Sequence, residues 1–75
     1  MDRRFLDVIA AVLDVDSDRI GDDDSPKTIP QWDSVKHLEL MMAIEGEFGV
    51  EFSPDEMAQL NSVGLIRGRL ERPRD

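Results

Sequence analysis

Phe5, Val8, Ile9, Val12 and Leu13 recur at i, i+3, i+4, i+7 and i+8, and nowhere do apolar and polar residues alternate over a useful length. The first pattern is the stripe of a helix that buries one face. Lack of the second leaves no candidate strand, so the chain reads as all-α. With 75 residues and no cysteine, one domain spanning 1–75 is expected. A chain of this size buries only about 60% of the surface it exposes when unfolded. Apolar packing has to hold it together without disulfides or thiolate metal sites.

The first helix is expected over about residues 3–14. From Val15 to Asp33 the periodicity lapses into Asp, Ser, Gly and Pro, most densely in Gly21-Asp22-Asp23-Asp24-Ser25-Pro26. Val15, Ile20, Ile29 and Trp32 are its possible anchors to a core. A loop this long inside a small domain is usually functional or disordered. A second helix is expected over 34–48, opened by Asp33 or Ser34, both good N-caps, and stopped by Gly49. Ser53-Pro54-Asp55-Glu56 combines a capping-box serine, a proline at N1 and a glutamate at N3, which starts a short helix over about 54–60. Asn61 or Ser62 can cap a last helix over about 62–71, ended by Pro73, with Val63, Ile66 and Leu70 inward. Within it Gly64 and Gly68 each cost about 1 kcal/mol relative to Ala.

The second helix carries apolar residues on two sides. At roughly 100° per residue, Leu38, Leu40, Met41, Ile44 and Phe48 are assigned to the core side. Val35, Glu39, Met42 and Gly46 fall on a narrow opposite stripe, with Glu45 and Glu47 nearby. Isolated exposed apolar residues are common. A valine and a methionine flanking a glutamate nonetheless make an acidic, amphipathic patch suited to a partner helix or loop.

Ser34, in Trp32-Asp33-Ser34-Val35, sits where the loop stops and this helix starts. A helix N-terminus offers free N–H groups and roughly half a unit of positive charge, so an anion such as a phosphodiester on this hydroxyl is locally tolerated. Taken alone, an Asp-Ser pair before a helix is far more often a simple cap.

The formal charge is −8 and unevenly spread: residues 1–66 hold 15 acids against 5 bases, residues 67–75 four arginines against two acids. Such a surface repels nucleic acid and anionic lipid and steers basic protein partners into encounter. The N-terminus lacks a signal-peptide pattern and no apolar run approaches a membrane span. The expectation is a cytoplasmic protein, most simply a monomer.

The ordered set of features resembles the acyl carrier protein family, with the related peptidyl carriers. It comprises a first helix, a long loop, Asp33-Ser34-Val35, then Leu38-Glu39-Leu40-Met41-Met42-Ala43-Ile44-Glu45, Glu47-Phe48, Gly49-Val50-Glu51-Phe52, a short helix at Pro54-Leu60 and a last one from Ser62-Val63. The resemblance implies a four-helix bundle with a minor third helix and a 4′-phosphopantetheine arm on Ser34, with Asp33 as its motif partner. It also implies partner docking through Val35, Glu39 and Met42, the stripe the helical wheel exposes, with Glu45 and Glu47 beside it. A separate phosphopantetheinyl transferase would attach the arm, using coenzyme A and magnesium. Acyl-loading and acyl-transfer enzymes with basic docking surfaces would be the later partners. The chain itself would be no enzyme; it would tether an acyl or aminoacyl thioester and raise its effective concentration.

The chain departs from the family pattern at Gln31, where many members have glycine, at Pro26, where a loop aromatic is common, and at Gly46, where an acid is common. Trp32-Asp33-Ser34 with His37 three residues on is similar to discrete carriers of specialised biosynthesis. A Ser34–His37 catalytic dyad is disfavoured, because His37 points to the core side and no third member or oxyanion motif accompanies it. Asp22-Asp23-Asp24 lacks the spaced ligands of a calcium loop and reads as solvated. Arg67, Arg69, Arg72 and Arg74 are too few for a nucleic-acid tail and are assigned to the last helix's C-terminal dipole. An unmodified acidic docking module, and more remotely a stand-alone hydrolase, are the readings from other classes.

Overall fold

The computed structural model describes residues 3–71. Four α-helices follow in order: α1 (Arg3–Leu13), α2 (Ser34–Phe48), α3 (Pro54–Gln59) and α4 (Val63–Glu71). There is no strand among the described residues. The fold is thus a small all-helical bundle whose third helix is under two turns long.

Helix α1 buries Phe5, Ile9 and Leu13, with Leu6, Val8, Ala10 and Val12 partly covered around them. It stops where Asp14 turns left-handed (φ 56°), a conformation Asp tolerates because its short side chain bonds locally. The Val15 N–H then closes the helix end on the Ala10 carbonyl at 3.2 Å. Helix α2 packs against α1 through Leu40, Met41 and Ile44, all fully buried. Phe48, expected in the core, is only half-buried. It lies at the rim, edge-on to Phe5 (centroids 6.4 Å apart) and beneath the Arg4 guanidinium at 4.8 Å.

Leu38 does not belong to the core: it is 53% exposed. The reason is angular. The buried residues of α2 centre near Ile44, and at 100° per residue Leu38 lies roughly 110° from the middle of that arc but only about 40° from Met42. It therefore sits on the outward stripe.

The chain between α1 and α2 is ordered by its own turns. A single 3-10 turn occupies Ser17–Arg19. Asp24 folds back, its carboxylate accepting the Gly21 N–H and the Thr28 hydroxyl, each at 2.8 Å. Ile20, Ile29 and Trp32 are buried and Val15 partly so. The acidic stretch also docks on α4: the Asp24 and Asp22 carbonyls accept the Val63 and Gly64 N–H groups, each at 3.0 Å. Those helix N-terminal donors have no partner within the helix itself. Arg67 grips both oxygens of the Asp22 carboxylate at 3.1 and 2.9 Å. Hydrogen bonds to Asp22 and then Glu71 raise the Arg67 pKa above its ordinary value. Asp22 and Asp24 are thus fixtures of the loop, not a merely solvated run.

The capping signals are realised with partners. Ser53 and Glu56 form the reciprocal box, both bonds at 3.1 Å. Gly49 (φ 65°) closes α2 through the Glu45 carbonyl, and the Ser62 hydroxyl caps α4 by accepting the Leu65 N–H. Arg69 does not serve the α4 dipole; it pairs with Glu56 and reaches the Glu51 carbonyl. Pro73, Arg72 and Arg74 lie outside the described residues.

Candidate functional site

The first turn of α2 could have been capped by either of two adjacent side chains, and the choice decides what is left for chemistry. Asp33 takes the cap. Its backbone is extended (φ −97°, ψ −173°), its carboxylate accepts the Lys36 N–H at 2.8 Å and its carbonyl accepts the His37 N–H at 2.8 Å. Ser34 is then the first helical residue. It is exposed, and no hydrogen bond engages its hydroxyl among the described residues. A single exposed oxygen nucleophile stands at the positive end of a 15-residue helix.

The approach to this turn is rigid because Trp32 is driven inward. The indole is 1% exposed, stacks near-parallel on the His37 ring (5.9 Å, 25°) and donates its Nε1–H to His37 Nδ1 at 2.9 Å. Indole nitrogen is a donor only, so Nδ1 must accept and the proton of neutral His37 resides on Nε2. There it donates to the Met57 carbonyl at 2.6 Å. This relay ties the loop end, α2 and α3 together beside Ser34. Both His37 nitrogens are committed, so neither is free to act as base for the serine. Trp32 is the loop anchor over the helix end, not an open stacking surface.

Ser34 opens onto a cleft of about 430 Å³, bordered by Pro26, Trp32, Asp33 and His37 on one side and by Ala58 and Asn61 on the other. A substituent on the hydroxyl has room to leave the protein or to lie along this cleft. On the outward face of α2, Val35 is 66% and Met42 59% exposed, and Gly46 is exposed with open space where a Cβ would be. Glu39 flanks them, its carboxylate 3.4 Å from Lys36 Nζ. The other two acids of the patch point elsewhere. Glu45 accepts the Phe52 N–H at 2.8 Å and so pins the chain after α2; Glu47 pairs with Arg4 at 3.1 Å on the α1 side. The stripe assembles Val35, Met42 and Glu39 as expected. It also holds Leu38, which the assignment to the core side had removed, although its wheel angle was signal enough to find it. The Lys36–Glu39 pair carried a signal of its own, their i, i+3 spacing on the helix.

No helix among the described residues is long and apolar enough to cross a membrane. The donor set around Ser34 fits a covalent phosphodiester: an uncommitted hydroxyl, helix N–H groups beneath it and an adjoining cleft. Residues 31–70, more than half of the chain and including the whole of α2, α3 and most of α4, match the family described as a phosphopantetheine attachment site. Members of that family are non-catalytic carriers of a covalently attached 4′-phosphopantetheine, served by phosphopantetheinyl transferases and biosynthetic enzymes. The chain belongs to the phosphopantetheine-attachment family and is a phosphopantetheine-dependent carrier protein.

Proposed function

We propose that Ser34 is the residue that receives the arm and that the cargo is an acyl intermediate of fatty acid, polyketide or other specialised biosynthesis. The observation that carries this reading is the division of labour at the start of α2: Asp33 does the capping, so the exposed Ser34 hydroxyl has no structural duty and is the group an incoming enzyme can reach. When bound, the arm supplies a terminal thiol on which cargo is held as a thioester. In the attachment step Ser34 Oγ forms the new phosphoester bond, and the bond to the nucleotide part of coenzyme A breaks. Magnesium and the transferase's base serve that step, the base taking the hydroxyl proton, and Asp33 uses one carboxylate oxygen, Oδ1, for capping. Around the resulting phosphodiester the first-turn N–H groups of α2 provide favourable dipoles.

Val35, Met42 and Glu39 are the docking positions in this reading, and the −8 charge steers partners with basic surfaces into encounter. Glu45 and Glu47 contribute only to that field. The protein acts in the cytoplasm as a monomer.

The test is intact mass after incubation with a broadly acting transferase, magnesium and coenzyme A. One added phosphopantetheine on the wild type, absent in Ser34→Ala with unchanged melting temperature, is expected. No gain on the wild type would instead favour an unmodified docking module. Mass spectrometry of natively loaded protein separates an acyl from an aminoacyl cargo.

A further inference from the structure

Asp33 leaves the Ser34 hydroxyl free only because it reaches α2 extended and in register, and the backbone before it shows what sets that arrival. The Ile29 carbonyl accepts the Trp32 N–H and the Gln31 carbonyl the Asp33 N–H, each at 3.0 Å, and the Ser25 carbonyl accepts the Thr28 and Ile29 N–H groups, each at 2.9 Å. Every link from Ser25 to Asp33 is local. At the upstream end stands Asp24, half-buried, with all of its oxygens engaged. One carboxylate oxygen accepts the Gly21 N–H and the other the Thr28 hydroxyl, each at 2.8 Å, while the carbonyl accepts the Val63 N–H of α4 at 3.0 Å. The Thr28 hydroxyl oxygen in turn accepts the Ser25 N–H at 3.0 Å. Asp24 is the joint at which the turns leading to Ser34 are fastened to α4.

We propose, resting on the carrier reading above, that Asp24 is a positioning residue for attachment of the arm: through this series of turns it fixes where the Ser34 hydroxyl stands when the transferase arrives. What acts is its pair of acceptor oxygens, not its charge. Asparagine keeps an acceptor for the Gly21 N–H and can donate its amide to the Thr28 hydroxyl oxygen; alanine keeps neither bond. A misplacement of the reacting atom by about 1 Å can cost up to a hundredfold in rate, and the links that transmit such a shift from Asp24 to Ser34 are contiguous in the structure. The joint can also be loosened from its other side. A Cβ at Gly64 would lie 3.1 Å from the Asp22 carbonyl oxygen, so Gly64→Ala lifts the same loop off α4 with every side chain of the loop intact.

The experiment measures kcat and KM for loading of the full chain by a broadly acting phosphopantetheinyl transferase with coenzyme A and magnesium. The variants are Asp24→Ala, Asp24→Asn, Gly64→Ala and, as an exposed acid of the same loop, Asp18→Asn. Circular dichroism checks that each is folded at the assay temperature, and hydrogen exchange follows the Thr28, Ile29 and Trp32 amides. Asp24→Ala is expected to lower kcat about tenfold with KM changed less than about twofold, since the surface of α2 is unaltered, and Gly64→Ala to lower kcat about three- to fivefold. Asp24→Asn should recover to within about threefold of the wild type, and Asp18→Asn should match it. Exchange at the three amides should rise in the order in which kcat falls. An unchanged kcat in folded Asp24→Ala, a loss through KM alone, or an equal loss in Asp18→Asn overturns the positioning role while leaving the carrier reading intact. Should Asp24→Ala not fold, Gly64→Ala with faster exchange and unchanged kcat overturns it instead. Failure of the wild type to load removes the carrier reading, and this inference with it.

Discussion

Replacing His37 by leucine tests the relay beside Ser34, because the two partners of the imidazole are left in different states. The Met57 carbonyl loses one bond, worth about 0.5–1.5 kcal/mol net. The Trp32 N–H loses its acceptor inside a residue that is 1% exposed, and a buried donor left unsatisfied costs about 1–3 kcal/mol. His37→Leu should therefore destabilise the fold by about 2–4 kcal/mol. Trp32→Phe removes the donor together with its bond, and the half-buried His37 Nδ1 can turn to water in the adjoining cleft. In that background His37→Leu loses only the Met57 bond. The double-mutant cycle should then show a coupling of about 1–2 kcal/mol, beyond the ~0.5 kcal/mol scatter expected of independent sites. A chain of this size has a total stability of about 4–11 kcal/mol, so the cycle is measured where circular dichroism first shows each variant folded in the absence of urea. Trp32 is the sole tryptophan, and Trp32→Phe abolishes the fluorescence probe, so urea unfolding is followed by circular dichroism at 222 nm. With a urea m-value near 1 kcal/mol/M, the coupling corresponds to a midpoint difference of about 1–2 M. Additive effects would falsify the relay, since they would mean that Trp32 N–H finds another partner when His37 is gone.

Asp33→Ala should lower stability by about 0.5–2 kcal/mol through loss of the cap on Lys36 N–H, read as a drop in urea midpoint, and an unchanged midpoint would mean that Ser34 takes the cap over. The two glycines of α4 should respond with opposite signs. A Cβ at Gly64 would lie 3.1 Å from the Asp22 carbonyl oxygen and 3.4 Å from its Cβ; Gly64→Ala should push the acidic loop off α4 and cost about 1 kcal/mol. Gly68 has open space around it, so Gly68→Ala should raise stability by about 0.5–1 kcal/mol. Thermal melts that move both variants in the same direction would refute the close approach of loop and helix.

Local signals were legible in the chain because their physics is local. The Ser53–Glu56 box, the left-handed Gly49 and the α1 stripe each follow from contacts within a few residues. The burial of α2 was less legible, since both of its sides carry apolar groups and only the seating of α1 decides which is covered. A coarse wheel groups Leu38 with the core side, while measured from the centre of the buried arc it lies roughly 110° away, on the outward face. The choice between Asp33 and Ser34 as cap was equally open to propensity; it is settled by the entry of the chain, where Trp32 is buried and Asp33 is extended. Least legible was the acidic loop. Its composition suggests solvated, irregular chain, yet its order comes from Arg67, Val63 and Gly64, some forty residues away in α4.

Those long-range ties bear on function through Ser34. In the proposed role the Ser34 hydroxyl is the nucleophile of the attachment step alone, and the contacts of the preceding segment present it to the transferase in one geometry. Trp32 is fixed from three directions: by burial, by His37, and through His37 by α3. The segment upstream is fixed again by α4 through Asp22 and Asp24. In the proposed role an arm on Ser34 supplies the reach, and these contacts fix its root. Carriage in that role favours this separation: a mobile arm samples several active sites from a root whose position is set by the fold.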